Sequence, residues 1–253
     1  MRVLLHPGFH KTATTTAQDF LHENRKLIWP HAALVLPARI RPVTEAVFAG
    51  TGVTAAMTAF LRGLDLTPRR TILISGENLL GRMPRGLTEA PYPDAVANLR
   101  ALLAAFEGLG WPCEVTLYLS TRDQAGWEES LWAHHARKDR DEPFTDDLAT
   151  FRARVGRVSL AEQLDRIRAG LPGLRILSHD IAEFAAMPLG PGQPFVDFLA
   201  LPEAQLRAFR PVAARNASLP REMTERFLAL NRDWSADTPA AKRALRQAEG
   251  DAR

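Results

Sequence analysis

The chain has 253 residues and a formal net charge of +3 at pH 7, with 46% hydrophobic and 24% charged residues. This composition is ordinary for a globular protein and excludes a wholly disordered or fibrous chain. The arginines are scattered among Asp and Glu instead of forming a basic stripe, so we expect no nucleic-acid partner. Cys113 is the only cysteine, which excludes an intramolecular disulfide and a cysteine-rich metal site.

No stretch of the sequence is long and apolar enough for a membrane span, and the apolar run at 3–5 is too short for a signal peptide. We therefore expect a cytoplasmic protein. The length suits a single domain over 1–253. Nothing in the sequence indicates the oligomeric state.

Short apolar runs alternate with segments of helical spacing. The runs predict buried strands, because they are continuous and are bounded by Gly, Pro or polar residues. They lie at 3–5, 33–36, 71–75, 115–120 and 174–178, and the main helical segments lie at 15–28, 44–63, 94–108 and 124–138. This alternation predicts an α/β fold, a P-loop-like three-layer sandwich with a mainly parallel sheet flanked by helices.

The last third of the chain has a less regular pattern. Segment 185–202 is rich in Pro and Gly, which predicts a loop or lid. Segments 203–210 and 221–232 have helical spacing. The polar, alanine-rich stretch 235–253 predicts a frayed tail helix.

The segment between the first strand and the first helix has the composition of a phosphate-binding loop. It reads Gly8-Phe9-His10-Lys11-Thr12-Ala13-Thr14-Thr15-Thr16. Free N–H groups at a helix N-terminus, threonine hydroxyls and the charge of Lys11 together suit a phosphate. One threonine could serve only as a helix cap, but four threonines around a lysine exceed what capping requires. The segment is not a Walker A loop, because His10 stands where that motif has the glycine before its lysine.

A second segment, 121–132, follows the fourth predicted strand. It carries Arg122 in a loop and Ser130 eight residues later in the following helix. The guanidinium fork of Arg122 and the hydroxyl of Ser130 can reach the same phosphate if the loop folds back over the helix. An Arg and a Ser at this spacing are common by chance, so the pair gains meaning only together with the first loop.

These two segments resemble the sulfotransferase superfamily, and most closely its bacterial branch, in which the first strand ends in Gly-x-His-Lys-Thr. The family's 5'-phosphosulfate loop is similar to the stretch 10–15, and its 3'-phosphate segment is similar to the Arg122 and Ser130 pair. A late segment with an Asn-x-Ser element resembles 215–220, where Ser218 could equally cap the helix that follows. Ala13 departs from the family, which usually has glycine there, and its methyl group hinders a positive φ.

The resemblance implies transfer of a sulfuryl group from 3'-phosphoadenosine 5'-phosphosulfate (PAPS) to a hydroxyl or amine, with 3',5'-adenosine bisphosphate (PAP) as the product and no metal. The acceptor would be a small molecule or a glycan. The residues implied in donor binding are Gly8, His10, Lys11, Thr12, Ala13, Thr14, Thr15, Arg122, Ser130, Arg215 and Ser218.

Three residues are predicted to take part in the chemistry: Lys11, Glu77 and His10. Glu77 follows the third predicted strand, so it should lie at the carboxyl edge of the sheet, where open α/β sheets bind ligands. A carboxylate there could take the proton from the acceptor. It could also be only a helix cap or a partner of a nearby arginine. Of His134 and His135, which are adjacent on one helix, at most one can face the site.

Two other functions remain open from the sequence. A phosphoryl-transfer enzyme could use the same loop, but it would need a metal-holding Asp at the end of a strand, for which Asp123 and Asp180 are available. A non-catalytic nucleotide-binding module is the other alternative, since Ala13 could weaken the donor site.

Overall fold

Five strands form one sheet in the order β2-β3-β1-β4-β5, and each neighbouring pair is parallel. The structure is a computed structural model that describes residues 1–67, 70–86, 90–139, 142–155, 158–213 and 220–251. The strands are β1 (Arg2–His6), β2 (Ala32–Val35), β3 (Thr71–Ser75), β4 (Glu114–Thr121) and β5 (Arg175–Asp180).

Helices cover both faces of this sheet. They are α1 (Thr14–Glu23), α2 (Arg25–Ile28), α3 (Arg41–Ala49), α4 (Val53–Arg62), α5 (Ala95–Glu107), α6 (Gln124–Arg137), α7 (Leu148–Arg154), α8 (Leu160–Gly170), α9 (Gln193–Leu199), α10 (Glu203–Leu206), α11 (Arg221–Arg232) and α12 (Thr238–Asp251). Short 3₁₀ helices span Glu77–Leu80, Ile181–Ala186 and Gly190–Gly192. In the described ranges, no helix combines the length and the apolarity that a membrane crossing needs.

The side chains of each strand alternate between two hydrophobic cores, as the period of a strand requires. Leu4 packs with apolar residues of α1 and α9 on one face of the sheet. Val3 and Leu5 point to the other face, where they pack with residues of α4, α5, α6 and α8. Both faces are therefore buried, and the predicted α/β three-layer sandwich with a parallel sheet is confirmed.

The predicted strands and helices differ from the observed ones mainly at their ends. The predicted helix 15–28 is two helices, α1 and α2, which meet at Asn24. The predicted helix 44–63 is also two helices, α3 and α4, separated by a turn at 50–52 that contains two glycines. The fifth strand begins one residue later and ends two residues later than predicted.

Segment 185–202 differs from the expected loop or lid. Pro194 lies in the first turn of α9, where proline favours a helix start. Phe195 and Val196 are buried in the core beside α1. The Pro and Gly content of this segment therefore reflects short helical turns and a helix start, and its apolar residues belong to the core.

The tail segment forms α12, which packs against α11 and the end of α6. The ammonium of Lys242 is fully buried. It donates hydrogen bonds to the carbonyl oxygen of Lys138 at 2.7 Å and to Oδ1 of Asn231 at 3.0 Å. A buried charge needs such partners, so these bonds tie the tail helix to the end of α6; residues 252 and 253 of the predicted tail lie outside the described residues.

His6 is the last residue of β1, and its side chain is buried. Its ring stacks on Tyr118 with centroids 5.0 Å apart, and its Nδ1 lies 2.9 Å from Oγ of Ser75. Burial lowers the pKa of His6 from its ordinary value of 6.5 to about 3. The imidazole is therefore neutral in the folded protein over most of the acid range.

This lowered pKa predicts a loss of stability in acid. Between about pH 6.5 and pH 3 the unfolded chain binds a proton on His6 that the folded protein does not bind. As the pH is lowered through this range, the free energy of unfolding should therefore fall by up to about 1.4 kcal/mol per pH unit from this residue alone. Thermal and urea unfolding of the protein and of His6→Gln at several pH values measure the effect. The variant should lose less stability in this window, and an equal loss in both proteins would contradict a neutral, buried His6.

Candidate active site

The carboxyl ends of β1 and β4 lie side by side at the centre of the sheet. The chain leaves β1 towards β2 on one side and leaves β4 towards β5 on the other. Ligands of open parallel sheets bind at such a point, where neighbouring connections diverge. The loop 7–13 follows β1 and the loop at Arg122 follows β4, so the topology brings the two predicted phosphate-binding segments to one place.

The loop after β1 is tightly curled. Gly8, Lys11 and Ala13 all have positive φ angles, of 61°, 66° and 64°. At Gly8 a Cβ atom would lie 3.0 Å from the side chain of Thr14, so both the φ and the lack of space require glycine. Lys11 and Ala13 adopt this conformation despite their side chains. Such backbone strain is typical of functional loops.

Hydroxyl groups fix the shape of this loop from inside. Oγ1 of Thr12 donates to the carbonyl oxygen of Phe9 at 2.7 Å and lies 2.8 Å from Oγ of Ser120, at the end of β4. Oγ of Ser120 also lies 2.8 Å from the carbonyl oxygen of Thr12. Oγ1 of Thr14 donates to the same Phe9 carbonyl at 3.1 Å. These two threonines therefore hold the loop together and attach it to β4.

The N-terminus of α1 has no side-chain cap. Its N-cap residue is Ala13, no side-chain cap is formed within the part of the chain that the structure describes, and the first turn contains no acidic residue. The first N–H groups of a helix have no partner within the helix, and the helix dipole makes this end positive. Capping by threonine therefore does not explain this sequence, and the end of α1 offers donors to an anion.

The side chain of His10, in the middle of this loop, is buried, and both of its ring nitrogens have hydrogen-bond partners. Its Nδ1 lies 3.0 Å from the hydroxyl of Tyr92, which also accepts from the His10 backbone N–H at 2.9 Å. Its Nε2 lies 2.9 Å from Oδ1 of Asn78. Nε1 of Trp127 donates to the His10 carbonyl oxygen at 2.9 Å. Burial is the main cause that lowers the pKa of His10 and favours its neutral form. The hydrogen bonds of the ring and backbone of His10 position the loop.

A cleft of about 610 Å³ opens above the loop. Seven of the predicted site residues line it: Lys11, Ala13, Thr14, Thr15, Glu77, Arg122 and Ser130. Gly8, His10 and Thr12 are buried and do not line it. Arg215 and Ser218 fall outside the described residues.

Arg122 and Ser130 reach the cleft together because the Arg122 side chain runs back over the first turn of α6. Asp123 caps this helix, and its Oδ1 accepts from the Gly126 N–H at 2.7 Å. A Cβ atom at Gly126 would lie 3.1 Å from Nε of Arg122 and 2.7 Å from Oδ2 of Asp123. Glycine at 126 thus leaves room for the side chains of Arg122 and Asp123. The Arg122 side chain folds back over α6, as it must if it is to reach the same ligand as Ser130.

The cleft is positively charged. Of the described residues that line it, five are cations and two are carboxylates; the cations are Lys11, Arg122, Arg137, Lys138 and Arg246, and the carboxylates are Glu77 and Asp139. Burial is the main cause that lowers the pKa of Lys11, and the neighbouring cations lower it further, whereas Glu77 raises it. An anionic ligand would relieve this repulsion.

The two adjacent histidines of α6 point in different directions. Nδ1 of His134 lies 3.5 Å from Nζ of Lys11, and His134 lines the cleft. His135 is buried, with its Nε2 2.7 Å from the carbonyl oxygen of Pro84. Only His134 therefore faces the cleft, in agreement with the helical spacing.

The two aspartates considered as metal ligands act as caps. Asp123 caps α6, and Asp180 accepts from the Ala182 N–H at 3.0 Å at the start of a 3₁₀ helix. Neither residue lines the cleft. No three His, Cys, Asp or Glu side chains of the described ranges are grouped so that they could share a metal ion.

Sequence reasoning missed several residues of this region. Arg137 and Lys138 lie seven and eight residues after Ser130, which places them on the same side of α6, and this spacing could have revealed them. Tyr92 and Asn78 give no such signal, because their contacts with His10 span 82 and 68 residues of sequence. Arg246 reaches the cleft only because α12 docks against α6.

The fold and this cleft define an α/β protein with a positively charged cleft at the carboxyl edge of a parallel sheet. No protein-family model matches the chain, and no curated protein matches it significantly. Among solved structures, a sulfotransferase from Alicyclobacillus acidocaldarius aligns over 90% of this chain and 91% of its own, with 14% identity and a TM-score of 0.49. A retinol dehydratase in complex with androsterone and the inactive cofactor PAP aligns over 91% of this chain and 64% of its own, with 12% identity and a TM-score of 0.34.

Both structures are far from this chain in sequence. The likeness is distant, so the residues of the cleft have to support any functional conclusion. A larger groove, of about 960 Å³, lies at the opposite edge of the sheet between Trp111 and Arg175 and contains none of the predicted site residues.

The strained N-cap of α1 gives a direct test of the loop conformation. Ala13 has φ 64° and ψ 16°, a conformation that costs a residue with a side chain about 1 kcal/mol relative to glycine. Ala13→Gly should therefore raise the free energy of unfolding by about 1 kcal/mol in urea denaturation. Ala17→Gly, inside the same helix, is the matched control and should lower it by a similar amount. Destabilisation by both substitutions would contradict the left-handed conformation at Ala13.

Proposed function

We propose that this protein is a sulfotransferase that moves a sulfuryl group from PAPS to a hydroxyl or amine acceptor. One observation carries the proposal: the uncapped N-terminus of α1 with Lys11, and the pair of Arg122 and Ser130, open into the same cleft. The two segments that resemble a 5'-phosphosulfate loop and a 3'-phosphate clamp are thus close enough to serve one nucleotide. ATP carries no 3'-phosphate and would leave the second segment without a ligand.

The residues of the cleft fit the charges of such a donor. The N–H groups of the first turn of α1 and the ammonium of Lys11 would hold the 5'-phosphosulfate. Arg122 would bind the 3'-phosphate with its planar fork, with Ser130 as a further donor. Gly8 and Thr12 would act indirectly, because they shape the loop without reaching the cleft.

When bound, the donor supplies an activated sulfuryl group. Glu77 follows β3 and lines the cleft near Lys11, whose pKa it raises. In the proposed mechanism its carboxylate takes the proton of the acceptor as the new bond from the acceptor to sulfur forms. Lys11 and the N–H groups of α1 stabilise the negative charge that grows on the 5'-phosphate as its bond to sulfur breaks.

Glu77 suits the role of base better than the histidines do. Both ring nitrogens of His10 are hydrogen-bonded within the protein, so His10 would position the loop. His134 lies next to Lys11, and the lysine ammonium can donate to its Nδ1. Our proposal therefore assigns His134 to the surroundings of Lys11 and the proton transfer to Glu77.

The other two functions are supported less well. Phosphoryl transfer would need a metal-holding Asp, whereas Asp123 and Asp180 are both used as caps outside the cleft. The strained φ of Ala13 favours a non-catalytic module over an enzyme only if it prevents nucleotide binding.

Cytoplasmic location and the single-domain organisation stay predictions.

Calorimetric titration with PAP tests the donor site. We expect PAP to bind, and to bind more tightly than ATP with magnesium or 5'-AMP. Lys11→Ala and Arg122→Ala should each weaken PAP binding about 10- to 100-fold, because each removes a charge-assisted hydrogen bond. Alanine keeps the positive φ at position 11 as strained as lysine does, so the charge is the main change.

Two surface substitutions serve as matched controls. Lys26→Ala on α2 and Arg207→Ala directly after α10 remove the same charges at exposed positions and should leave PAP binding unchanged. Tighter binding of ATP than of PAP would contradict the sulfotransferase proposal in favour of phosphoryl transfer. Binding of no nucleotide would favour the non-catalytic module.

Substitution of Glu77 tests the proposed base. Glu77→Gln should lower kcat for sulfuryl transfer about 10²- to 10⁴-fold. PAP should bind the variant as tightly as the parent or more tightly, because a carboxylate near the phosphates has been removed. Glu45→Gln at an exposed ion pair is the control. A normal kcat in Glu77→Gln would reject this assignment, and His134→Asn would then be the next variant to assay.

A further inference from the structure

The ring of His10 connects the phosphate-binding loop with the segment that carries Glu77. His10 is only 2% exposed, and its two ring nitrogens have partners from different parts of the chain. Nδ1 lies 3.0 Å from the hydroxyl of Tyr92, and Nε2 lies 2.9 Å from Oδ1 of Asn78. Asn78 is the second residue of the 3₁₀ helix that begins at Glu77. One side chain thus links the loop to the residue next to the proposed base.

The hydrogen bonds of Tyr92 fix the proton of this ring. The Tyr92 hydroxyl accepts from the backbone N–H of His10 at 2.9 Å, and its own single proton is then available to Nδ1 of the ring. Nδ1 therefore accepts and carries no proton, so the proton of the neutral ring is on Nε2. Asn78 presents its amide oxygen to Nε2, and this oxygen can only accept. One arrangement of protons therefore satisfies all three side chains.

Tyr92 is held firmly beside the loop. It is 1% exposed, and its ring is nearly parallel to that of His10, with an interplanar angle of 3° and centroids 5.9 Å apart. Its carbonyl oxygen accepts from Nε2 of Gln163, on α8, at 3.0 Å. Because Tyr92 bonds both the backbone and the ring of His10, this side of the ring holds the loop.

Asn78 attaches the turn that carries Glu77. The far end of this turn is anchored separately, because Nδ2 of Asn98 donates to the carbonyl oxygen of Leu80 at 3.2 Å. At the near end, the amide of Asn78 is bonded to His10. Since Glu77 directly precedes Asn78, this bond restricts where the Glu77 carboxylate can lie in the cleft.

We infer that His10 is a positioning residue that sets the distance between the bound donor and the proposed base. Through Tyr92 it holds the phosphate-binding loop, and through Asn78 it holds Glu77. This inference rests on the proposed function, in which Lys11 and Glu77 act on opposite sides of the transferred group. The attacking and leaving oxygens must lie roughly in line, and a misplacement of about 1 Å can cost about 10²-fold in rate.

Two substitutions of His10 separate its two bonds. Glutamine places an amide N–H where Nε2 lies and can still donate to Asn78, whereas asparagine reaches only the position of Nδ1 and can bond only to Tyr92. Hydrolysis of bound PAPS measures the transfer step without knowledge of the acceptor. In this reaction the oxygen of a water molecule bonds to sulfur as Glu77 takes its proton. The bond from sulfur to the 5'-phosphate oxygen breaks, and sulfate and PAP are released.

His10→Asn should lower the rate of hydrolysis at saturating PAPS about 10²-fold, because Glu77 is no longer held. Its affinity for PAP should change by no more than about threefold, because the bond to Tyr92 is kept. His10→Gln should retain a rate within about tenfold of the parent. Tyr92→Phe should show the opposite pattern, with PAP binding weakened about tenfold in calorimetry and a smaller loss of rate.

Asn78→Ala tests whether His10 acts through Asn78. It should lower the rate as His10→Asn does, and the double variant should lose little more than either single variant. Asn24→Ala is the matched control, since it removes a buried asparagine that donates to the carbonyl oxygens of Phe20 and Arg210 outside the cleft. It should lower thermal stability without changing the rate at saturating PAPS. Equal losses of rate in His10→Asn and His10→Gln, or additive losses in the double variant, would overturn the inference.

Nitrogen NMR of the histidine rings gives a readout that does not depend on the donor. Sequential assignment identifies His10 among the seven histidines. We expect a proton on its Nε2 and none on Nδ1, and we expect the Nε2 signal to move in Asn78→Ala. A proton on Nδ1, or an unchanged Nε2 signal in Asn78→Ala, would overturn the inference whether or not PAP binds. Failure of PAP to bind the parent protein rejects the proposed function instead. In that case, or if no hydrolysis of PAPS is measured, the NMR result alone decides whether His10 links the two segments.

Discussion

The absence of a side-chain cap at the N-terminus of α1 is the constraint on which the site depends. A helix end that has no side-chain cap and no acidic residue in its first turn keeps its N–H groups available for a ligand. The protein achieves this by using Thr12 and Thr14 to bond Phe9 and β4, rather than the helix. The loop then keeps its strained conformation through contacts below it, chiefly those of His10 with Tyr92 and Asn78.

The rest of the cleft is built around this helix end by the order of the strands. Because β1 lies between β3 and β4, residues after all three strands meet at one edge: Lys11, Glu77 and Arg122. Gly126 lets the arginine fold back over α6, and α12 closes the far end with Arg246. The positive charge of the cleft is thus assembled from distant parts of the sequence. Among the described lining residues, the balance of five cations against two carboxylates favours an anionic ligand.

The sequence predicted what depends on local pattern and missed what depends on long-range contact. Continuous apolar runs predicted all five strands, since strands buried on both faces cannot alternate. In segment 185–202, predicted as a loop or lid, the Pro and Gly content concealed the helix α9 and the buried Phe195 and Val196. For His10, adjacency to Lys11 suggested contact with the ligand, and the hydrogen bond of its ring with Tyr92, 82 residues away, has no signal in the local sequence. The role of Arg246 depends on the docking of α12 and has no signal in the local sequence.

A crystal structure of the protein with PAP tests the central claim most directly. The account predicts the 5'-phosphate at the N-terminus of α1 within hydrogen-bond reach of Lys11, and the 3'-phosphate at Arg122 and Ser130. It also predicts that the loop 7–13 keeps its curled backbone on binding, because its hydrogen bonds are already formed. PAP bound in the groove between Trp111 and Arg175, or bound with its 3'-phosphate away from Arg122, would contradict the account.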